Sequence, residues 1–239
     1  MRTLGIIPAR AGSKRLPRKN VLPLGGKPMV CWVIEAARKA QSLDRLVVSS
    51  DDPEVLALAA GYDPGIVLER PAELATDTSP AIEYVKHALV SLERRGEEPF
   101  SVVVILQPSS PLTQPDDINA TVQLLLRTGA DTAVSVVRLD HAIHPVKLKI
   151  MEGDRLLPYL EEERGRLAAH ELPVLYVRNC AVYATRRYVI ESGQIIGADC
   201  RGYVMPRERS IDINDELDYR FAEFLVERCG VAGERLGRC

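Results

Sequence analysis

Short apolar segments alternate with amphipathic segments along the chain up to residue 139, and this alternation constrains the fold more than any other feature. The apolar segments are rich in β-branched residues, which favours strands, and the amphipathic segments have the apolar period of an α-helix. Ser101–Leu106 is nearly continuous in apolar residues, as expected for a strand buried on both faces of a parallel sheet. The pattern predicts an α/β fold with a mainly parallel, Rossmann-like sheet that carries helices on both faces.

The individual elements follow from the same periodicities. The predicted strands are Leu4–Ala9, Arg45–Ser50, Ile66–Leu68, Ser101–Leu106, Thr132–Arg138, Arg178–Ala184 and Tyr203–Met205. The predicted helices are Pro28–Ala40, 53–60, Ser79–Arg94, Asp116–Arg127, Arg186–Ser192 and Asp215–Arg228. Pro53 is favourable in the first turn of its helix, with Asp51 or Asp52 as the cap.

The alternation stops after residue 139. Residues 140–177 combine short apolar runs with several prolines and an acidic patch at 161–164, which is typical of a solvated helix face. We therefore predict a single main α/β domain made of 1–139 and 178–229, an arm at 140–177, and a frayed tail at 230–239.

Charge and cysteine content exclude several classes of protein. The 31 basic and 33 acidic residues give a net charge of −2, and only 5% of residues are aromatic, so we expect no nucleic-acid partner. No apolar run approaches the roughly 18 residues of a membrane span, so we expect no membrane partner. The five cysteines are scattered and form no Cys-x-x-Cys pair, which is typical of free thiols in the cytoplasm.

The loop that follows the first predicted strand holds the strongest functional signal. Five basic residues occur in the ten positions from Arg10 to Lys19. Open α/β sheets bind ligands at the carboxyl ends of their strands, and Gly12 allows the backbone to approach an anion closely. The loop lacks both the Walker pattern and the dinucleotide fingerprint. A solvated basic loop is the alternative, but its position after the first strand favours a phosphate site.

Residues 8–20 contain the pattern Pro-Ala-Arg-x-Gly-Ser-Lys-x-x-Pro-x-Lys-Asn. This pattern resembles the signature of the CMP-sialic acid synthetases, or acylneuraminate cytidylyltransferases, and the Lys19-Asn20 pair resembles their nonulosonate branch more than the deoxy-octulosonate branch. Further segments match in the family's order: Val48–Asp51, Arg70–Thr78, Leu106–Leu112, His144–Lys147, Asn179–Tyr183 and Ser210–Asn214. The resemblance therefore covers nearly the whole chain.

The resemblance implies an enzyme that joins CTP to a 2-keto-3-deoxy sugar acid and releases pyrophosphate. The implied nucleotide-binding residues are Ala9, Arg10, Gly12, Ser13, Asn20, Arg70 and Ser79. The implied catalytic residues are Arg10, Lys14, Lys19 and Asp212, and the implied sugar-binding residues are Gln107, Lys147 and Arg178. Asp212 and Asn214 would hold Mg²⁺. The arm would reach a second subunit, so the resemblance also implies a homodimer.

The chain departs from the family pattern at three places. Val177 stands where the family has arginine, which makes Arg178 the candidate replacement, and Ala169-His170-Glu171 replaces the usual Arg-Gln pair before Leu172-Pro173. Asn214 stands where the family has a second aspartate. The first two changes leave the identity of the sugar acid open, and Asn214, a neutral ligand, would make a metal site weaker or more dependent on phosphates.

Several alternatives to these assignments remain. Asn214 is also a good cap for the last helix, Arg70 could pair with Glu69 or Glu73 at the surface, and Gln107 could be a turn amide. The chain could use another acceptor, such as a deoxy-octulosonate or a phosphonate, or could bind a nucleotide without turnover. His141 and His144 have no third ligand nearby, so a zinc site is not expected. No pattern for a covalent nucleophile is present.

Overall fold

The computed structural model describes residues 1–160 and 172–229, with side chains up to residue 227. The strands are β1 (Thr3–Pro8), β2 (Pro23–Leu24), β3 (Lys27–Pro28), β4 (Arg45–Ser50), β5 (Val67–Glu69), β6 (Val102–Leu106), β7 (Thr132–Arg138), β8 (Lys149–Glu152), β9 (Arg155–Pro158), β10 (Tyr176–Arg186) and β11 (Cys200–Val204). The α-helices are α1 (Met29–Lys39), α2 (Pro53–Tyr62), α3 (Ala81–Arg94), α4 (Pro115–Thr128), α5 (Arg187–Glu191) and α6 (Glu216–Cys229).

Seven strands form one sheet in the order β11-β7-β10-β6-β1-β4-β5. The strand pairs are parallel except at β10, which runs antiparallel to both β6 and β7. The prediction of a mainly parallel, Rossmann-like sheet is therefore confirmed. β1 lies beside β4 and β6, so the basic loop that follows β1 emerges near the middle of the sheet.

Helices cover both faces of this sheet, as predicted. One apolar cluster joins alternate strand residues such as Val104 to α1, α2 and α4. A second cluster joins the intervening residues, such as Val103, to α3 and α5. Because successive strand side chains point to opposite faces, a strand with a continuous apolar sequence can contribute to both clusters.

A third apolar cluster attaches α6 to the end of the molecule that carries the basic loop. Leu225 and Tyr219 of α6 pack with Leu24 of β2 and with Ile211 and Ile213. The Tyr219 hydroxyl also donates a hydrogen bond to the carbonyl of Pro23. These contacts fix the segment that contains Asp212 next to the loop after β1.

Some predicted boundaries were wrong by a few residues. β10 begins at Tyr176, inside the predicted arm, because its first residues pair with β7 alone and are exposed, so no apolar alternation marks them. The predicted strand Tyr203–Met205 spans Cys200–Val204 instead, where it pairs with β7. Asp52, rather than Asp51, caps α2 by accepting a hydrogen bond from the Glu54 amide.

The part of the arm that the structure describes contains an exposed hairpin of β8 and β9. The predicted acidic patch at 161–164 and the predicted tail at 230–239 lie outside the described residues. The division into a catalytic domain and an arm stays a prediction. None of the helices within residues 1–160 and 172–229 is long and apolar enough to cross a membrane.

Candidate active site

A cleft of about 370 Å³ lies at the carboxyl ends of β1, β4, β5 and β6. This edge is the usual ligand site of an open α/β sheet. The predicted site residues that line the cleft are Arg10, Ser13, Lys14, Lys19, Asn20, Arg70, Ser79, Gln107 and Asn214. Residues that are far apart in the sequence therefore converge on one opening.

The backbone of the basic loop is tied to β4 and its following turn. Ala9 is buried, and its amide donates to the carbonyl of Ser49 over 3.0 Å. The amide of Ala11 donates to Asp51 Oδ1 over 2.9 Å. Apart from its two chain neighbours, no atom of the described residues lies within 4 Å of a Cβ added at Gly12, so packing among those residues does not require glycine at that position. The open space beside Gly12 leaves room for a ligand against the backbone.

Asp77 pairs with two of the predicted phosphate-binding cations. Arg10 Nη1 lies 2.7 Å from Asp77 Oδ1, and the Lys14 ammonium pairs with the other carboxylate oxygen. The hydrogen bond from Lys14, followed by the one from Arg10, holds the pKa of Asp77 below its ordinary value. Asp77 was missed by sequence reasoning, although it lies within the matching segment Arg70–Thr78. An anion with several charges, such as a triphosphate, can take its place beside both cations.

Lys19 is a half-buried cation that contacts the segment after β11. Lys19 Nζ donates to the carbonyl of Ile213 over 2.8 Å. Burial lowers the pKa of Lys19 below its ordinary value, and the nearby charge of Asp212 partly opposes this shift. The structure therefore places two predicted catalytic residues, Lys19 and Asp212, close enough for their charges to interact.

Asn214 links Asp212 to the basic loop. Asn214 Nδ2 donates to Asp212 Oδ2 over 2.9 Å, and Asn214 Oδ1 accepts a hydrogen bond from Arg15 Nη2 over 2.9 Å. The alternative of Asn214 as the cap of α6 is wrong. Asp215 Oδ1 accepts the hydrogen bond from the Asp218 amide, because Asp215 is the residue that directly precedes the helix.

The contacts of Asp212 and Asn214 bear on whether these residues could hold Mg²⁺. Asp212 offers a carboxylate, whereas Asn214 points its amide nitrogen, and not its carbonyl oxygen, towards Asp212. If the Asn214 amide turned over, its carbonyl oxygen would lie beside the Asp212 carboxylate. Two such oxygens are favourable side by side only with a cation between them. No group of three or more His, Cys, Asp or Glu side chains suited to a metal occurs among the described residues. The residues fit an Mg²⁺ ion held by one carboxylate, phosphate oxygens and water.

Arg70 is locked in the wall of the cleft. Its side chain is only 4% exposed, with Nε donating to Ser49 Oγ over 3.0 Å and Nη2 donating to the Ser49 carbonyl over 2.7 Å. Its guanidinium lies 4.6 Å from the centre of the Tyr84 ring. The alternative of a surface pair with Glu69 or Glu73 is therefore wrong, because the guanidinium points inward to Ser49.

Asn20 and Ser79 both line the cleft and are held by hydrogen bonds. Asn20 is buried and its Nδ2 donates to the carbonyl of Arg10 over 3.0 Å. Ser79 Oγ donates to the carbonyl of Glu73 over 2.9 Å and also lies 2.6 Å from Thr76 Oγ1. These bonds order the turn that presents Asp77 to the cleft.

Gln107 follows β6 and lines the cleft with its side chain. Its backbone carbonyl accepts the turn hydrogen bond from the Ser110 amide over 3.1 Å. The backbone thus completes the turn, which leaves the side-chain amide beside the hydroxyl of Tyr84. Tyr84 was missed by sequence reasoning, because it lies among the buried residues of α3.

Two predicted sugar-binding residues do not line the cleft. Lys147 Nζ lies 2.8 Å from His141 Nε2, in the segment before the β8–β9 hairpin. Arg178 is exposed near the start of β10, just before a bulge in which Cys180 has a left-handed φ of 62°. Their roles stay predictions from the resemblance.

Buried polar contacts hold the segment that carries Asp212. Arg209 Nη2 and Nε donate to the fully buried carboxylate of Asp117 over 2.8 and 3.1 Å. Ser210 Oγ accepts from Asn179 Nδ2 over 2.9 Å, and the amide of Ile213 donates to the Ser109 carbonyl over 2.8 Å. Helix α4, β10 and the loop after β6 therefore position one side of the site together.

Comparison with known proteins agrees with this geometry. The family model described as cytidylyltransferase matches residues 4–196. The chain is 32% identical over 235 residues to the CMP-N,N'-diacetyllegionaminic acid synthase of Legionella pneumophila, a match covering 95% of this chain and 97% of that protein. It is 30% identical to the N-acylneuraminate cytidylyltransferase of Escherichia coli, a match covering 93% of this chain but 52% of that protein.

A solved structure has the same fold. CMP:2-keto-3-deoxy-manno-octonic acid synthetase in complex with CTP superimposes with a TM-score of 0.69 at 19% identity, covering 95% of this chain and 98% of that one. At this identity the likeness concerns the fold alone. The family model matches most of the chain, and the expectation drawn from the loop after β1 is confirmed: this protein belongs to the cytidylyltransferase family.

Proposed function

We propose that the protein transfers the cytidylyl group of CTP to a nonulosonate, a 2-keto-3-deoxy sugar acid, giving a CMP-sugar and pyrophosphate. The convergence of Arg10, Lys14 and Lys19 on one cleft, with the Asp212 carboxylate close enough to Lys19 to act on its charge, is the observation that carries the proposal. The names of the relatives from Legionella pneumophila and Escherichia coli support it.

The proposed reaction is an in-line displacement at the α-phosphorus of CTP. The anomeric oxygen of the sugar acid forms a bond to the α-phosphorus of CTP and gives up its proton to solvent water, while the bond from that phosphorus to the pyrophosphate oxygen breaks and pyrophosphate leaves. Arg10 and Lys14 exchange Asp77 for the triphosphate and neutralise the leaving pyrophosphate, and Lys19 neutralises charge near the α-phosphate. Catalysis then comes from positioning and electrostatic stabilisation.

Asp212 is the residue proposed to hold Mg²⁺, with Asn214 as a weaker second ligand. When bound, the ion would supply further neutralisation of phosphate charge. The Asp212 carboxylate also favours the protonated ammonium of Lys19, which partly opposes the effect of burial on the pKa of Lys19. The residues proposed to bind the nucleotide are Ala9, Arg10, Gly12, Ser13, Asn20, Arg70 and Ser79. Gln107 is proposed to bind the sugar acid.

We also propose that the protein works as a homodimer. The β8–β9 hairpin carries exposed apolar side chains, including Met151 and Leu156, and contiguous exposed apolar surface is typical of an interface. Lys147 and Arg178 lie outside the cleft of their own chain. A second subunit that docks through the arm would bring them, or the partner's copies, to a sugar acid.

The cytoplasm is the proposed location, since Cys31, Cys180 and Cys200 are free. Unpaired thiols are typical of a reducing compartment.

The decisive experiment measures product mass after incubation with CTP, Mg²⁺ and a panel of sugar acids. The panel contains N-acetylneuraminic acid, N,N'-diacetyllegionaminic acid, pseudaminic acid and 3-deoxy-manno-octulosonate. We expect a CMP-sugar from a nonulosonate. Product from the octulosonate alone would replace the proposed acceptor, and CTP binding without any product would identify a nucleotide-binding module.

Two variants test the assigned residues. Lys19→Ala and Asp212→Ala should each lower kcat by about 10²–10³-fold. The first removes a cation beside the developing phosphate charge, and the second removes the carboxylate proposed to hold Mg²⁺. Lys39→Ala, which removes an exposed cation at the end of α1, is the matched control and should leave kcat unchanged. Turnover near that of the wild type in either site variant would contradict the assignment.

A further inference from the structure

Tyr84 places a buried hydroxyl beside the cleft. Its side chain is 7% exposed, and its ring packs in the same apolar cluster as Leu68 and Ile105. The hydroxyl oxygen has no partner of hydrogen-bonding geometry within the described chain. Native proteins seldom bury a hydroxyl without a partner, so this group calls for a functional explanation.

Tyr84 lies next to one residue proposed to bind the nucleotide and one proposed to bind the sugar acid. The guanidinium of Arg70, on the nucleotide side, lies 4.6 Å from the centre of the Tyr84 ring. The side chain of Gln107, on the sugar side, is the polar group beside the Tyr84 hydroxyl. Both neighbours line the cleft together with Tyr84.

The hydroxyl is a hydrogen-bond donor at working pH. Burial raises the pKa of Tyr84 to about 12, so the O–H group keeps its proton. Gln107 offers this donor one acceptor, its carbonyl oxygen Oε1. When the amide is turned so that this oxygen faces the hydroxyl, the amide nitrogen is left facing the cleft.

We propose that Tyr84 is a positioning residue: when the sugar acid binds, Tyr84 Oη donates to Gln107 Oε1 and turns Gln107 Nε2 towards an acceptor oxygen of the sugar acid. This inference rests on the proposed function. Without the hydroxyl, the two orientations of the amide are similar in energy, and one of them presents an oxygen to an anionic ligand. Binding of the sugar acid then requires the amide to be ordered at the same time, which weakens affinity.

Tyr84→Phe tests the proposal with little change to the fold. The phenyl ring keeps the core contacts and still lies against Arg70. We expect the KM for the sugar acid to rise about fivefold, the effect of one hydrogen bond. The KM for CTP should stay within about twofold of the wild type, because Arg70 keeps its bonds to Ser49. The melting temperature should not fall, since the deleted hydroxyl has no hydrogen-bond partner among the described residues.

A double-mutant cycle shows whether Tyr84 acts through Gln107. Gln107→Ala should raise the KM for the sugar acid, and adding Tyr84→Phe should then have no further effect. The probes are those of N-acetylneuraminic acid, N,N'-diacetyllegionaminic acid and pseudaminic acid that give product with the wild type.

Three results would overturn the role of Tyr84 alone: an unchanged KM for the sugar acid in Tyr84→Phe, an equal rise in the KM for CTP, or full additivity with Gln107→Ala. Absence of CMP-sugar from the wild-type protein would overturn the proposed function, and the inference with it.

Discussion

We expect the charge of Lys19 to make the activity depend on pH. Burial places its pKa below the ordinary value of 10.5, so the ammonium loses its proton at a lower pH than a surface lysine. The neutral amine no longer stabilises phosphate charge, and we expect kcat/KM for CTP to fall on the alkaline side. The measurement is a profile of kcat/KM between about pH 7 and about pH 10, which reports the free enzyme.

Lys19→Arg is the matched variant for this profile, because a guanidinium stays charged throughout the range. The alkaline fall should move to higher pH or vanish, even if the maximum rate is reduced. An unchanged alkaline limb in Lys19→Arg would assign the fall to another group.

Asn214→Asp should make the protein more dependent on Mg²⁺. The new carboxylate would lie beside that of Asp212, and repulsion of about 1 kcal/mol would lower the melting temperature by about 2–4 °C without metal. Mg²⁺ should restore stability, because a cation between two carboxylates binds the folded state. The measurement is the melting temperature against Mg²⁺ concentration for both proteins. Equal responses would contradict a metal site at Asp212.

At the scale of elements, the Arg209–Asp117 pair connects α4 to the segment that carries Asp212. Asp117 is fully buried, so Arg209→Met leaves a buried carboxylate without its cation. We expect a loss of about 3 kcal/mol in the free energy of unfolding, measured with urea, and a lower kcat because Asp212 moves.

Arg207→Met is the control for this pair. Arg207 also forms an ion pair with an aspartate, Asp140, but both side chains are exposed. Removal of Arg207 should therefore lower the free energy of unfolding by less than about 1 kcal/mol. Similar losses in the two variants would contradict the positioning role of Arg209.

The sequence predicted most elements because their apolar periods are strong, as in Ser101–Leu106. It did not predict that β10 runs antiparallel. Whether a strand is parallel or antiparallel depends on the strands beside it, and these cannot be identified from the local sequence. Tyr84 was missed for a related reason: on α3 it looks like any buried residue. Asp77 was missed because its partners, Arg10 and Lys14, lie more than sixty residues earlier. The cations of the loop after β1 were predictable because they are adjacent in the chain.

At the scale of the whole molecule, the exposed apolar hairpin predicts the oligomeric state. Met151 is 69% exposed and Leu156 is 60% exposed. Replacing both with aspartate should convert a homodimer into a monomer, because a charge at a buried interface core is unfavourable. Light scattering at micromolar concentration measures the mass, and the KM for the sugar acid should rise in the monomer.

Val90→Asp is the control for these charges, since Val90 is an exposed apolar residue on α3, away from the hairpin. It should leave the mass unchanged. A monomeric wild-type protein at micromolar concentration would contradict the proposed dimer.

The arm leaves the sheet and returns to it at one place. Arg138 at the end of β7 pairs with Tyr176 at the start of β10, and the amide of Leu139 donates to the carbonyl of Leu175 over 2.8 Å. In topological terms the arm is an enlarged hairpin loop, and the free energy of closing a loop rises slowly with its length. Such an insertion can be shortened, lengthened or exchanged without altering the register of β7 and β10. Under the roles proposed for the arm, acceptor choice and subunit assembly can diverge during evolution while the chemistry of the nucleotide stays the same.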